Sequence, residues 1–146
     1  MICAASPRRV QMTRRVPWRP MNPAAVIVSR PYTWGNPYRF GQCHRIHGPS
    51  PHWHVYDADH NELPLEPVDR DEALAWSIFL FCEYMKEPGR TQEARTQLRG
   101  RDLACWCPLT QVCHGDVLLH IANKATPLDI SALITVPSPR AGDDRW

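Results

Sequence analysis

The sequence predicts a small single-domain α/β fold with a short, mostly parallel sheet flanked by helices. A β-branched run at residues 24–29 predicts a buried strand, and residues 102–106 predict a second strand. Helical patterns at residues 69–85, 91–98 and 115–123 alternate with those runs along the chain. Strands that alternate with helices are typical of parallel α/β sheets, and 146 residues are enough to bury one core.

The boundaries of the predicted domain follow from composition. Residues 1–13 are predicted to be an irregular basic segment, because Pro7 precedes two arginines there and more prolines and arginines follow directly after the segment. Residues 14–124 form the predicted α/β domain. Residues 125–146 are rich in proline and turn formers and are predicted to be a tail, whose apolar segment 128–136 is a candidate for docking on the domain.

The longest predicted helix carries its own start and stop signals. Asp69 is a candidate N-cap and Glu72 follows three residues later, as in a capping box. Pro88-Gly89 ends this helix, and Gly100 closes the next one. Cys82 lies in an apolar stretch and is predicted to be a buried small hydrophobe.

The segment between the first strand and this helix predicts a hairpin. Residues 54–57 and 62–65 flank the turn-forming residues 58–61. Pro64 would confine the second arm to a sheet edge, because proline cannot donate a ladder hydrogen bond.

Charge and cysteine content restrict the function classes. The net charge of +2 does not by itself indicate a nucleic-acid binder, although arginines concentrate near the N-terminus. No apolar run reaches the roughly 20 residues of a membrane span, and the N-terminus lacks the order of a signal peptide. We therefore expect a cytoplasmic protein, in which clustered cysteines indicate metal or thiol chemistry rather than disulfides.

A strand that ends in Cys105-Trp-Cys107 begins the most informative segment. Residues two apart on a strand face the same side, so Cys105 and Cys107 are expected to point together. Trp106 is expected to point the other way, into packing. Pro108 then stops the strand.

A helix N-terminus follows, and three polar side chains precede or begin it. Cys113 is placed where helix N–H groups and the helix dipole stabilise a thiolate. His114 could polarise that thiol or act as a base. Asp116 could orient an imidazole, bond a ligand hydroxyl or cap the helix.

Three interpretations of these residues are open. In the first, zinc is a cofactor bound by three sulfurs and one nitrogen, from Cys105, Cys107, Cys113 and His114. The adjacency of Cys113 and His114 is expected to strain such a site, and Cys43 or His44 is an alternative ligand. In the second, Cys113 is a reactive thiol in a nucleotide or base site. In the third, the cysteines are inert core residues and Asp116 is a cap.

Two separated motifs resemble a known family. Residues 28–38, VSRPYTWGNPY, and residues 100–118, which contain CWCP and CHGDVL, resemble the uncharacterised phage and actinobacterial domain-of-unknown-function family four-three-two-six. The resemblance covers about residues 14–124 and implies no activity. The characteristic positions that it implies are Arg30, Trp34, Gly35, Asn36, Pro37, Cys105, Cys107, Cys113, His114, Gly115 and Asp116. The stretch 43–64 is an elaboration of this member, which weakens any role for Cys43, His44 or His47.

The leading functional hypothesis places a ligand site between the two motif loops. Both loops follow predicted strands, so parallel pairing would bring them to the carboxyl edge of the sheet. The expected ligand is nucleotide- or nucleobase-related. Its expected ligand-binding residues are Arg30, Trp34, Gly35 and Asn36, and its expected catalytic residues, if it is an enzyme, are Cys113, His114 and Asp116.

The alternative hypothesis belongs to a different class of protein. In it, a zinc-stabilised interaction module binds nucleic acid or a host protein through the basic N-terminal segment. The sequence leaves open whether the protein is an enzyme.

Overall fold

A computed structural model describes residues 5–43 and 52–138 of the chain. It confirms the predicted α/β class, with parallel strands flanked by helices. The elements are β1 (Arg9–Gln11), β2 (Val26–Ile27), β3 (Arg39–Cys43), β4 (His52–Tyr56), α1 (Arg70–Met85), α2 (Pro88–Leu98), β5 (Leu103–Cys105), α3 (His114–Asn123) and a 3-10 turn (Ile130–Ala132).

The chain divides into two compact units. Unit 1 comprises Met1–Gly35 and Met85–Asp129, and unit 2 comprises Asn36–Tyr84 and Ile130–Trp146. No helix in the described ranges is both long enough and apolar enough to cross a membrane.

Unit 1 is built on a parallel sheet with strand order β1-β5-β2. Helix α3 packs against β1 and β5, and α2 packs against α3. Part of the core is a cluster of Val10, Met12, Ala25 and Ala104, against which Trp18 and Ile27 pack. The central strand β5 is buried along its whole length, as expected of a strand covered on both faces.

Strand β1 corrects the prediction that residues 1–13 are irregular. Arg9–Gln11 pairs with β5, and the pairing continues beyond it, because Leu103 N donates to Arg8 O at 3.0 Å and Met12 N donates to Cys105 O at 2.8 Å. A strand of three residues is too short to show alternation, and the prolines and arginines that suggested a tail lie mostly on either side of it.

Unit 2 contains an antiparallel pair, β3 and β4. The predicted strand at 54–57 overlaps β4, but its principal partner is β3 rather than residues 62–65, which contribute one bridge between Tyr56 and Glu62. Strand β3 was missed because its sequence, RFGQC, has a central glycine and no clear apolar alternation. Side chains of α1 and the hairpin form one core, with Val55, Leu65, Ala73, Trp76 and Leu80 buried.

The predicted helix signals operate largely as expected. Asp69 Oδ1 accepts from Glu72 N at 2.8 Å and so caps α1. Helix α2 begins at Pro88, three residues before the predicted start, because proline suits the first turn of a helix. Gly100 follows it with φ of +76°, a conformation that glycine adopts at little cost. Cys82 is buried on α1, as predicted.

Candidate metal centre

The candidate site lies where the three strands of unit 1 end. All three are parallel, so their carboxyl ends lie at one edge of the sheet, with β5 in the middle. We call this the carboxyl edge and define its segments as residues 12–16, 28–35 and 106–113. Helix α3 begins directly after the last segment. This arrangement is the one in which open α/β sheets build sites.

The end of β5 places two sulfurs together. Cys105 and Cys107 lie on the same side, with their Sγ atoms 3.7 Å apart, as strand geometry predicts. Cys105 is buried and Cys107 is partly exposed. Trp106 points away, but it is 47% exposed, so the prediction that it enters packing is wrong. The strand ends at Cys105, and Trp106 already lies in the loop.

Cys113 and His114 bring a third sulfur and an imidazole to the same place. Cys113 is the N-cap of α3 with extended backbone (φ −140°, ψ 153°), while His114 is the first helical residue. This change of backbone direction lets adjacent side chains converge, and Cys113 Sγ lies 3.4 Å from His114 Nδ1. The helix start thus brings these two neighbouring side chains together.

The resulting cluster is compact and buried. Ligand atoms of Cys105, Cys113 and His114 all lie within 4.8 Å of one another, and all three residues are buried. His114 Nε2 lies 2.6 Å from the carbonyl oxygen of Val28, to which it donates a hydrogen bond. That bond fixes the tautomer and leaves Nδ1, the nitrogen near the sulfurs, as the unprotonated one.

The close approach of these groups shifts their acidity. Hydrogen bonds from Cys107 and then Cys113 lower the pKa of Cys105 well below its usual value. The contacts with Cys105 are the largest cause that raises the pKa of Cys107 and of Cys113. Burial lowers the pKa of His114, which favours a neutral imidazole. A metal ion would require the thiols in their deprotonated form and the imidazole in its neutral form.

Arg9, a buried residue that no sequence pattern singled out, donates hydrogen bonds to the loop between β5 and α3. Arg9 Nε donates to Asp116 Oδ1 at 3.2 Å, and the Arg9 side chain is only 6% exposed. Its other guanidinium nitrogens donate to the carbonyl oxygens of Cys107 (3.0 Å), Pro108 (3.1 Å), Leu109 (3.4 Å) and Gln111 (2.6 Å). No local spacing could reveal this, because Arg9 and Cys107 are 98 residues apart.

Asp116 is occupied by structural bonds. Besides accepting from Arg9, its Oδ2 accepts from Cys113 N at 2.9 Å. Cys113 Sγ accepts from the N–H of Gly115 at 3.4 Å, which completes a capping box with cysteine as the cap. Among its expected roles, Asp116 is therefore seen as a helix cap.

Two glycines of the motifs allow close packing. A Cβ on Gly115 would lie 3.1 Å from Arg9 Cδ, and a Cβ on Gly35 would lie 2.9 Å from Arg30 Cγ and 3.0 Å from Arg30 Cα. Gly115 therefore admits the buried arginine next to Cys113. Gly35 admits the backbone of Arg30, which holds the turn after β2 closed.

The other predicted ligand residues are placed as follows. Arg30 is exposed at the carboxyl edge, near enough to His114 to influence its charge, and Trp34 is partly buried. Asn36 belongs to unit 2, where its buried amide donates to Ser77 Oγ at 2.9 Å and accepts from Tyr38 N at 2.9 Å. The side chain of Cys43, and all of His44 and His47, lie outside the described residues.

The cluster, taken together with Cys107, fits zinc in donor type, and two measured separations match the spacing of a zinc site. With typical bond lengths, a tetrahedral zinc site separates two sulfurs by about 3.8 Å and a sulfur and a nitrogen by about 3.6 Å. The corresponding distances are 3.7 Å between Cys105 and Cys107 and 3.4 Å between Cys113 and His114. Soft thiolates with an imidazole favour zinc over magnesium or calcium.

Comparison with known proteins identifies a family. The model of a family described as "Domain of unknown function (DUF4326)" matches residues 10–124, from the second residue of β1 to just beyond the end of α3. No curated protein and no solved structure matches the chain.

Proposed function

This chain belongs to the DUF4326 family, described only as a domain of unknown function, and we propose from its site that it is a zinc-stabilised α/β binding module. In this proposal, Cys105, Cys113 and His114 hold one zinc ion, and Cys107 is the fourth ligand. The ion fastens the end of β5 to the start of α3. The carboxyl edge of the sheet is thereby held rigid for a binding partner.

One observation carries the proposal. His114 has a single unprotonated nitrogen, Nδ1, because Nε2 donates to the Val28 carbonyl, and that nitrogen faces the sulfurs. An imidazole that binds metal through one nitrogen and donates from the other to a backbone carbonyl is the usual arrangement in metal sites. A histidine that merely filled the core would not require two cysteines beside its acceptor nitrogen.

The surroundings of the cluster favour a structural ion over an open catalytic one. Structural zinc sites have four protein ligands, whereas catalytic sites leave one position to water. Cys107 Sγ lies 3.7 Å from Cys105 Sγ but outside the group of ligand atoms within 4.8 Å, so its side chain would have to rotate to complete the set. Bound zinc would neutralise the thiolates in a region where the Arg9 cation is also buried.

The burial of Cys113 bears on the thiol-catalyst alternative. Its residue is 1% exposed, and its Sγ accepts from Gly115 N. Catalytic cysteines lie in electropositive and partly exposed surroundings, where a substrate can reach the sulfur. Asp116 is engaged by Arg9 and by the N-cap, which does not leave it poised to orient the His114 ring.

Zinc stoichiometry in untagged protein tests the proposal. Native mass spectrometry is expected to find one zinc ion per chain. Cys105→Ser and Cys113→Ser variants should lose it, whereas Cys82→Ser, which changes a buried cysteine of unit 2, should keep it. If the ligand variants fail to fold, chelation and zinc return in the wild-type chain provide the same test through reversible loss of thermal stability. A folded, metal-free wild-type protein with a rapidly alkylated Cys113 would contradict it.

A nucleotide-related ligand at the carboxyl edge is the second candidate function. It is favoured by Ser29, which follows β2 and whose buried Oγ has no hydrogen-bond partner among the described residues. Buried hydroxyls are normally satisfied, so a ligand oxygen could complete this one beside the Arg30 cation. Calorimetric titration with nucleoside mono- and diphosphates tests it. Binding that weakens in Ser29→Ala but not in Ser131→Ala, an exposed serine of unit 2, would support it. No heat of binding would remove it.

A further inference from the structure

The carboxyl edge presents an aromatic ring to solvent. Trp106 lies between Cys105 and Cys107, so two proposed zinc ligands fix the backbone on both sides of it. Its residue is 47% exposed, and the guanidinium of Arg14 lies 5.5 Å from the ring centroid. Tyr32, in the segment that follows β2, is 55% exposed. Val16 and Leu109, also in the segments of this edge, are exposed as well, and exposed apolar side chains concentrated at one edge mark a candidate interaction site.

The charge of this edge is uniformly positive. Its three segments, residues 12–16, 28–35 and 106–113, contain three arginines and no aspartate or glutamate. These arginines, all exposed, are Arg14, Arg15 and Arg30. At the opposite edge the charge is mixed, since Arg8 lies 4.0 Å from Asp102. Arg14 thus lies beside the exposed ring, and Arg15 and Arg30 add positive charge to the same edge, whose segments contain no acidic residue.

We propose that the carboxyl edge binds single-stranded nucleic acid, with Trp106 as the platform on which a base stacks. The inference rests on the proposed binding module and names its partner. Arginines beside an exposed aromatic ring are the combination that holds the phosphates and unpaired bases of single strands. A duplex keeps its base faces covered, so it could use the arginines but not the indole. The ring therefore favours a single strand over a duplex.

The effect of removing the Trp106 ring distinguishes base stacking from simple attraction between the arginines and phosphates. Losing the stacking of one base lowers affinity by about 5- to 150-fold. Charge contributes independently of sequence, and each phosphate neutralised in a single strand contributes about 0.7 to the slope of log K against log salt. Removing Arg14 and Arg15 should therefore reduce that slope by up to about 1.4.

Fluorescence anisotropy of a labelled mixed-sequence oligonucleotide, with the zinc-loaded full chain at low salt, tests the proposal. Wild-type protein should bind the single strand more tightly than the matched duplex. Trp106→Ala should weaken binding by about 5- to 150-fold and Trp106→Phe by less. Arg14→Ala/Arg15→Ala should lower the salt slope, while Arg8→Ala, at the opposite edge, should leave both quantities near wild type.

Zinc is measured on the same samples, so failure of the metal centre and failure of the surface are distinguished. A zinc-loaded wild-type chain that does not bind the oligonucleotide at low salt would overturn the proposal. So would zinc-loaded Trp106→Ala protein with unchanged affinity, or a duplex bound as tightly as the single strand. If Trp106→Ala loses zinc, the arginine pair decides the proposal, and an unchanged salt slope would refute it.

Discussion

Replacing Arg9 with lysine tests whether one buried guanidinium organises the loop that leads into the proposed zinc site. The Arg9 side chain donates to Asp116 and to four carbonyl oxygens of the loop between β5 and α3, all within 3.4 Å, and 6% of its surface is exposed. Lysine keeps the positive charge but replaces a planar set of five donors by a single ammonium group. It cannot satisfy a carboxylate and several carbonyl oxygens in these different directions.

The expected loss follows from the bonds that lysine cannot make. A hydrogen bond to a charged group contributes about 1.5–3 kcal/mol, and breaking a buried pair costs about 3–5 kcal/mol. The Asp116 side chain is 27% exposed, so water screens and partly replaces its share of the interaction. We therefore expect Arg9→Lys to lower the free energy of unfolding by about 2–4 kcal/mol, a large part of the stability of a typical domain.

Urea unfolding followed by circular dichroism, at a fixed zinc concentration, measures this loss. Arg8→Lys is the matched control, because the Arg8 side chain is 71% exposed and lies 4.0 Å from Asp102. A surface pair of that kind is worth about 0–1 kcal/mol. If Arg9→Lys and Arg8→Lys unfold within about 0.5 kcal/mol of each other, Arg9 does not organise the loop.

Three further predictions concern packing, the metal and pH. Gly115→Ala should lower the free energy of unfolding in urea by about 1–3 kcal/mol, since the added Cβ would lie 3.1 Å from Arg9 Cδ. Gly89→Ala is the control: Gly89 lies in α2 with open space around it, so this change should leave the free energy of unfolding unchanged or raise it. Cys107→Ser should retain one zinc ion in native mass spectra but release the ion at a lower chelator concentration than the wild type does, because Cys107 is the partly exposed ligand. Release at the wild-type chelator concentration would exclude Cys107 from the site. A hydrogen bond from the backbone N–H of Asn61 is the main cause that lowers the pKa of Asp57, so NMR should show this carboxyl titrating below 3.8 in the folded protein. The contribution of this carboxylate to stability should be lost as pH falls through its folded pKa. An equal titration midpoint in the urea-unfolded chain would refute the shift.

The long elements and the spacing within the cysteine segment were predictable from the sequence. β5 and α3 have clear patterns, and the prediction that Cys105 and Cys107 lie on one side is confirmed by their 3.7 Å separation, although the strand itself ends at Cys105. Cys113 was expected near the start of the last helix, where the structure makes it the N-cap. These features depend on neighbours within a few residues, which is the range over which a sequence pattern carries information.

The remaining features depend on tertiary contacts. β1 has three residues and becomes a strand because β5 offers it a partner, and Arg9 is buried because a distant loop supplies its acceptors. Trp106 was wrongly assigned to packing, since the strand ends one residue before it. The convergence of Cys113 and His114 required the backbone turn between an extended cap and a helix, which adjacency in sequence conceals.

X-ray absorption at the zinc edge of untagged, purified protein tests the central claim most directly. It reports which atoms surround the ion and at what distances. We expect one zinc per chain with a shell of sulfur at about 2.3 Å, from Cys105, Cys107 and Cys113, and one imidazole nitrogen at about 2.0–2.1 Å, from His114. A shell of oxygen and nitrogen without sulfur, or the same spectrum from Cys113→Ser protein, would contradict it.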